Sequence, residues 1–282
     1  MNSKIILIGC TGFIGKSIFN NFGNKLVSYS SKNLNLLKKK SIKKKSKNFK
    51  NSTIIYAAGI KRTRGDNSEN FFKNLVLFNN LFSFFFKNKP KKIIFLSSAE
   101  VYGYYNGKKK ISEKTTLEPV TQYSMSKIIQ EETIKFFSKK LGYEYIILRI
   151  PGVYGFDEEN QNIISKLILS LNKGKIFKLN TSGNELRDYV YVNDIGKFLS
   201  YVIKKNIKNL TINFATGKSH KIKNIIKMIE KNYNKKLNIK HSFKKKFYEY
   251  SLSFNNKLIR KKISNFNFTS LNNFDFKEEF SK

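Results

Sequence analysis

The sequence predicts an α/β chain with a doubly wound parallel sheet and a smaller lobe toward its C-terminal end. Short apolar runs typical of buried strands alternate with stretches of helical pattern in the first half of the chain. The first apolar run, residues 5–8, leads into glycines spaced three apart in residues 9–15, the glycine loop. With 282 residues the chain can bury a large core, as one large domain or as two joined ones.

The glycine loop predicts a turn from the first strand into a helix that begins at a bound pyrophosphate. Gly9 allows the tight turn, Gly12 lets a pyrophosphate approach the backbone, and Gly15 lets the helix pack closely on the strand. The N–H groups of Phe13 and Ile14 are then free to bind an anion. The pattern indicates a Rossmann-type dinucleotide-binding fold, although its spacing is GxxGxxG rather than GxGxxG.

The end of the second predicted strand, residues 25–30, bears on the choice between NAD and NADP. In NAD sites a carboxylate at this position binds the adenosine ribose. The chain has no carboxylate in residues 28–35 and offers Ser30, Ser31 and Lys32 instead. Because hydroxyls beside a lysine suit a 2′-phosphate, both cofactors stay open and NADP is favoured by a narrow margin.

A third strand is predicted over residues 52–59, and it ends in Ala57, Ala58 and Gly59. Small residues at the carboxyl end of a strand leave room for a cofactor to lie across the sheet. We therefore expect these three residues to line the cofactor site.

The next helix is predicted to begin at a cap formed by Asp66 or Ser68 and to run to about Lys87. Its Phe-rich part, residues 71–86, is interrupted by polar residues, so it indicates a buried helix rather than a membrane span. A fourth strand is predicted over residues 91–97, and farther along the chain residues 222–233 have the pattern of an amphipathic helix.

Ser98, Tyr123 and Lys127 form the candidate catalytic group. Ser98 follows the fourth strand, and Tyr123 and Lys127 share one face of a predicted helix because they are four residues apart. A free tyrosine has a pKa near ~10. We expect the Lys127 ammonium and an oxidised nicotinamide to lower that pKa, and Ser98 to hold a substrate hydroxyl against Tyr123. The Tyr-xxx-Lys spacing recurs in this lysine-rich chain, so the preceding strand and its serine are what distinguish Tyr123.

The chain resembles the NAD-dependent epimerase/dehydratase family, extended short-chain dehydrogenases/reductases that modify nucleotide sugars. The matching segments are the glycine loop and residues 97–103 (Ser-Ser-Ala-Glu-Val-Tyr-Gly), 123–127 (Tyr-Ser-Met-Ser-Lys), 148–155 and 187–194. The resemblance implies an NAD(P)-binding Rossmann domain over residues 1–155 with returning segments near 186–216, and a mainly substrate-binding lobe over 156–282.

The resemblance also assigns roles to single residues. It implies the catalytic trio named above, places Asn74 on the helix behind Lys127, and expects Glu100 and Arg187 at the substrate, with Arg187 on the diphosphate of a sugar nucleotide. The expected cofactor-binding residues are Gly9, Gly12, Phe13, Ile14, Gly15, Ser30, Ser31, Lys32, Ala57, Ala58, Gly59, Asn74, Tyr123 and Lys127.

Three positions depart from the family's pattern. Gly152 stands where many members have a substrate-binding asparagine, and Phe156 replaces a usual proline. Family dehydratases carry an Asp-Glu pair after the serine or threonine, whereas this chain has Ala99 followed by Glu100. Without that aspartic acid, dehydration is the least expected of the family's reactions.

The formal charge of +36 would suit a polyanionic partner. The positive charge is almost all lysine, however, and arginine, which is preferred for bidentate phosphate and base contacts, occurs five times. The chain is also rich in Asn, Ile and Phe, as AT-rich codons would produce. A non-catalytic Rossmann protein that binds RNA or another polyanion is therefore kept as the alternative.

The sequence and the resemblance together predict an NAD- or NADP-dependent enzyme that transfers a hydride at a sugar carbon, C4 by resemblance. It would act as an epimerase or a keto-sugar reductase in sugar-nucleotide or surface-polysaccharide biosynthesis. The expected partner is a nucleotide-diphosphate sugar, a homodimer is left open, and neither membrane insertion nor nucleic acid is expected. Cys10 is the only cysteine and the two histidines are far apart, so we expect no disulfide and no metal site. The first strand follows Met1 almost directly, which predicts a cytoplasmic protein without a signal peptide.

Overall fold

A computed structural model describes residues 3–105, 109–156, 162–242, 250–263 and 266–281. In the described residues the strands are β1 (Ile5–Ile8), β2 (Leu26–Tyr29), β3 (Thr53–Tyr56), β4 (Lys92–Ser98), β5 (Glu144–Ile150), β6 (Gly152–Tyr154), β7 (Phe177–Leu179), β8 (Leu186–Tyr191), β9 (Leu210–Asn213), β10 (Ser219–Lys221) and β11 (Ile239–His241). The helices are α1 (Phe13–Phe22), α2 (Lys39–Lys45), α3 (Ser68–Ser83), α4 (Gln122–Leu141), α5 (Ile163–Asn172), α6 (Val192–Lys204), α7 (Ile222–Tyr233), α8 (Lys257–Lys262) and α9 (Phe276–Glu279).

The chain divides into two compact units. The first comprises residues 1–103, 117–149 and 195–212, and the second comprises 104–116, 150–194 and 213–282. The predicted returning segments near 186–216 differ from this division, because β8 pairs with β6 and β10 in a separate small sheet. The segment that returns to the first unit begins only at Ile195.

The first unit is organised around a six-stranded sheet with the order β2-β1-β3-β4-β5-β9. β1 lies parallel between β2 and β3, and β3 is parallel to β4. This arrangement confirms the predicted Rossmann-type α/β fold. The chain leaves β1 in opposite directions to reach β2 and β3, so the carboxyl end of β1 is the point at which such sheets bind ligands.

The second unit holds the small sheet β10-β8-β6 and the parallel pair β11-β7. Its helix α7 has the predicted bounds of residues 222–233, and it buries Ile222, Ile225, Ile226 and Ile229 along one face. That spacing is the 3.6-residue repeat of an amphipathic helix, which explains why the sequence alone located it.

The Phe-rich segment is only partly the buried helix that the sequence predicts. Helix α3 ends at Ser83 rather than near residue 87, and Asn67 caps it in place of Asp66 or Ser68. Phe78 and Phe82 are buried, whereas Phe72 is 61% exposed. Phenylalanines next to one another cannot all face the core of a single helix, so composition overestimated its burial. In the described residues, no helix is long and apolar enough to cross a membrane.

The close approach of α1 to the glycine loop gives a prediction about folding. A methyl group on Gly15 would lie 2.0 Å from the carbonyl oxygen of Gly9, whereas one on Gly12 would lie 3.7 Å from its nearest neighbour. Gly15→Ala should therefore lower the free energy of unfolding by about 2 kcal/mol or more through overpacking. Gly12→Ala, the matched control, should change it by at most about 1 kcal/mol. Urea unfolding without cofactor measures both, and equal stability of the two variants would contradict the packing described here.

Candidate active site

The glycine loop forms the tight turn that its glycines predict. Gly9 has a φ of +96°, and a Cβ there would lie 2.8 Å from the backbone of Ala57 and Ala58. Helix α1 then begins at Phe13 with no side-chain cap and no acidic residue in its first turn. The first N–H groups of the helix lack intrahelical acceptors, so they can bind an anion. The space beside Gly12 and these donors fit a dinucleotide pyrophosphate.

The turn formed by residues 30–33 lies directly beside the glycine loop. The carbonyl of Tyr29 accepts hydrogen bonds from the N–H groups of Gly9 at 2.8 Å and Cys10 at 3.2 Å. Asn33 closes the turn by accepting from the Ser30 N–H at 2.7 Å. The neighbouring Ser31 and Lys32 are exposed, so a hydroxyl and an ammonium are available at the position where an adenosine ribose would lie.

The end of β3 lies against β1, as the predicted cofactor site requires. The N–H of Ala57 donates to the carbonyl of Ile8 at 2.9 Å. Buried Asn74 clamps the segment that follows Gly59: it accepts from the Ile60 N–H at 2.7 Å and donates to the Ile60 carbonyl at 3.1 Å. Asn74 therefore holds the loop beside the site through the backbone of Ile60.

Lys61 is a candidate cofactor-binding residue that the sequence did not reveal. Its ammonium lies 6.0 Å from the centroid of the Phe13 ring, at the start of α1. A positive charge at this place would attract a pyrophosphate bound to the helix N-terminus. In a chain with this many lysines nothing in the sequence marks it, except that it stands two residues after the Gly59 that ends the third predicted strand.

The structure brings Ser98, Tyr123 and Lys127 together. Tyr123 is half-buried, and the Ser98 side chain is close enough to its phenol to lower the pKa of that phenol. Lys127 is buried, donates to the carbonyl of Leu96 at 2.9 Å, and places its ammonium 5.7 Å from the centroid of the Tyr123 ring. The same ammonium lies 4.8 Å from the centroid of the Phe95 ring. A hydroxyl, a phenol and an ammonium thus converge at the end of β4.

The electrostatics of Tyr123 differ from the expectation. Burial raises the pKa of Tyr123 above its ordinary value, the charge of Glu100 raises it further, and the Ser98 hydrogen bond opposes the rise. Burial also lowers the pKa of Lys127 to about 8, against the opposing charge of Glu131. The expected lowering of that pKa by Lys127 together with an oxidised nicotinamide is therefore not seen in the chain without cofactor, and with cofactor bound it stays a prediction. The neutral phenol is the form that the protein favours.

Glu100, two residues after Ser98, forms an ion pair with the loop that follows β3. Its carboxylate lies 3.3 Å from the Arg62 guanidinium, and burial raises its pKa more than Arg62 lowers it. Asp66, which the sequence placed at the cap of α3, instead accepts from the backbone N–H of Tyr123 at 3.0 Å. It therefore contacts the first turn of α4, and this role depends on tertiary contacts that sequence spacing does not reveal.

Arg187 belongs to the second unit. Its guanidinium lies 4.5 Å from the centroid of the Tyr250 ring and donates to the backbone carbonyls of Leu186 and Tyr250. In the same unit, a Cβ at Gly152 would lie 2.4 Å from the ring of Tyr189. That ring leaves no space for the family's asparagine at residue 152.

No group of three or more histidine, cysteine, aspartate or glutamate side chains in the described part of the chain could hold a metal ion.

Comparisons with known proteins agree with this geometry. Residues 5–215 match the sequence model of the NAD dependent epimerase/dehydratase family. The chain is 30% identical to a dTDP-4-dehydro-6-deoxyglucose reductase of Escherichia coli over 60% of its own length and 52% of that protein's. It is 26% identical to a UDP-glucose 4-epimerase of Pisum sativum over 85% of its length and 84% of the relative's. The first curated relatives are matched over about half of their length, 43–52%.

The fold also matches solved structures. The crystal structure of a Thermus thermophilus UDP-glucose 4-epimerase in complex with NAD superposes with a TM-score of 0.83 at 18% identity, covering 96% of each chain.

Proposed function

Because the chain belongs to the NAD dependent epimerase/dehydratase family, we propose that it is an NAD(P)-dependent enzyme acting on a nucleotide-diphosphate sugar by hydride transfer at C4. The observation that carries this proposal is the convergence of Ser98, Tyr123 and buried Lys127. The three side chains lie at the carboxyl end of β4, in the sheet whose β1 ends in the glycine loop. The names of the reductase and epimerase relatives support a nucleotide sugar as the substrate class.

A bound nicotinamide dinucleotide would supply the donor and acceptor of the hydride. The protein's own part is to move the proton. The neutral phenol of Tyr123 can donate a proton to a keto oxygen, while Ser98 holds that oxygen in place. Taking a proton from a sugar hydroxyl requires the reverse transfer, and the resulting phenolate is stabilised by the Lys127 ammonium. Epimerisation uses both directions, whereas a keto-sugar reductase uses only the first.

Dehydration is not part of the proposal. Dehydration needs an acidic residue directly after Ser98. That position is occupied by Ala99, which is 1% exposed. The intact trio also argues against the alternative of a non-catalytic protein that binds a polyanion.

Tyr123→Phe tests the proposal. Because it removes the hydroxyl that transfers the proton, we expect turnover to fall by ~10²–10⁴-fold with little change in cofactor affinity. The assay is product formation, followed by NMR, from a panel of UDP-, dTDP- and GDP-hexoses and their 4-keto forms. Tyr201→Phe is the matched control, because Tyr201 and Lys205 have the same spacing without a preceding serine-ended strand. Retained turnover in Tyr123→Phe would show that a group other than the Tyr123 hydroxyl transfers the proton.

We propose that the cofactor site accepts NADP and favours it narrowly over NAD. Support comes from the turn at residues 30–33, where Ser31 and Lys32 are exposed next to the glycine loop and no carboxylate is present to repel a 2′-phosphate. Use of NADPH, a cellular reductant, would favour the keto-sugar reductase over the epimerase.

Lys32→Asp tests the cofactor choice. It places a carboxylate where the 2′-phosphate would bind, so NADP affinity should fall at least tenfold, about 1.4 kcal/mol, and NAD affinity should hold or improve. Calorimetric titration of both cofactors measures this, with Lys39→Asp on α2 as a control for the loss of one exposed lysine. If the wild type binds NAD tenfold more tightly and Lys32→Asp leaves NADP binding unchanged, NAD-dependent epimerisation becomes the better account.

We further propose that the protein is a homodimer. Helices α3 and α4 pack together and present exposed apolar side chains: Phe72, Val76, Met125, Ile129 and Phe136 are 61%, 44%, 43%, 39% and 58% exposed. Sedimentation at ~10 µM should give a dimer for the wild type and a monomer for Phe72→Glu/Ile129→Glu, because burying those carboxylates is unfavourable. The proposal fails if the wild type sediments as a monomer.

A further inference from the structure

Glu131 and Arg149 form an ion pair in the interior of the first unit. Glu131 is fully buried and Arg149 is 3% exposed. The Arg149 Nη2 lies 2.7 Å from Oε2 of Glu131, and its Nε donates to both carboxylate oxygens at 3.2 and 3.1 Å. The desolvation of two buried charges commonly cancels their attraction, so stability by itself is a weak explanation for such a pair.

The remaining hydrogen bonds of the pair lead to the segment that carries Ser98. Ser97 donates its hydroxyl to Oε1 of Glu131 at 2.5 Å. Arg149 donates from Nη1 to the Tyr102 hydroxyl at 2.9 Å, and its guanidinium lies 5.2 Å from the centroid of that ring. Ser97 precedes Ser98, and Tyr102 ends the short 3₁₀ helix that Ser98 caps. The Glu131–Arg149 pair is therefore hydrogen-bonded to residues on both sides of Ser98.

The same carboxylate is also a charged neighbour of Lys127. Glu131 lies one helical turn after Lys127 on α4, and its charge is the interaction that raises the pKa of Lys127 against burial. The other charged groups around Glu131 are Arg149 on β5 and Lys135 on α4, whose ammonium is 4.0 Å from Oε2. On β4, the Lys127 ammonium contacts the Phe95 ring and the Leu96 carbonyl.

We propose that Glu131 is a positioning residue of the Ser98–Tyr123–Lys127 site. Through Ser97 and Arg149 it fixes the Ser98 segment against α4, and from one helical turn away its carboxylate is an anionic neighbour of Lys127. This inference rests on the proposed function for its effect on turnover, but its effect on Lys127 does not depend on any substrate.

Glu131→Gln keeps the shape of the side chain and removes its charge. The apparent pKa of the Lys127 ammonium should fall by about one unit from its value of about 8. The measurement is ¹⁵N NMR of the lysine ammonium groups against pH, with Lys127→Met to assign the signal. With UDP-glucose and NAD as the probe, the alkaline limb of the kcat profile should shift to lower pH by the same amount, kcat at pH 8 should fall about fivefold, and KM should hold.

Three variants complete the test. Glu132→Gln removes a charge one residue further on, where the carboxylate is 60% exposed and pairs with Lys135, so the titration of Lys127 should not change. Glu131→Gln/Arg149→Gln removes both charges of the pair, so no unpaired charge stays buried. If the single variant does not fold, this double variant should show the same lowering of the Lys127 pKa. Ser97→Ala keeps the ion pair and should lower kcat without moving the Lys127 titration.

An unshifted Lys127 titration in a folded Glu131→Gln or double variant would overturn the proposal, as would a wild-type kcat in Ser97→Ala. The failure of the proposed function is distinguishable from these results. In that case Tyr123→Phe would retain turnover, while the Lys127 titration would still shift as described.

Discussion

Helix α1 begins so close to the end of β1 that no side chain fits between Gly15 and the carbonyl of Gly9. This steric limit determines the geometry of the candidate cofactor site. It places the N–H groups of Phe13, Ile14 and Gly15 at the edge of the sheet, between the ends of β2 and β3. The Tyr29 carbonyl and the Ala57 backbone lie against the same turn. The approach of one helix to one carbonyl thus sets where a dinucleotide can lie.

The reacting end of the site depends on a different constraint, the attachment of α4 to β4. Lys127 reaches across to the Leu96 carbonyl, and the Glu131–Arg149 pair connects the same two elements one turn further along. Burial of Lys127, Glu131 and Arg149 costs free energy, and each of the three forms hydrogen bonds, as buried polar groups generally do. Because Tyr123 and Lys127 are one turn apart on the same helix, a shift of α4 would move the phenol and the ammonium together relative to Ser98.

The sequence predicted the parts of the site that depend on local pattern. The glycine loop, the serine at the end of β4 and the four-residue spacing of Tyr123 and Lys127 are encoded by neighbours in the chain. The structure brings Ser98, Tyr123 and Lys127 together as expected. Helix α7 was located by its apolar repeat. The roles assigned to the site residues stay predictions, as does the substrate-binding role of the second unit.

What the sequence could not show depends on contacts between distant segments. Arg149 meets Glu131 across 18 positions, and Asp66 meets the backbone of Tyr123 across 57. The rise in the pKa of Tyr123 has the same origin, since burial and the charge of Glu100 act on its phenol only once the chain has folded. The exposure of Phe72, in a segment predicted to be buried, has another cause: composition cannot tell which face of α3 meets the core.

The central claim, a dinucleotide and a nucleotide sugar at the site of Ser98, Tyr123 and Lys127, is tested most directly by identifying what the protein binds in the cell. The freshly purified protein would be denatured, and the released small molecules identified by mass spectrometry. We expect NAD or NADP together with a nucleotide-diphosphate sugar, with the dinucleotide lost from Gly12→Val, in which a branched side chain fills the space for the pyrophosphate. Co-purification of RNA with neither small molecule, and no binding of either cofactor when added, would contradict the central claim and favour a polyanion-binding protein.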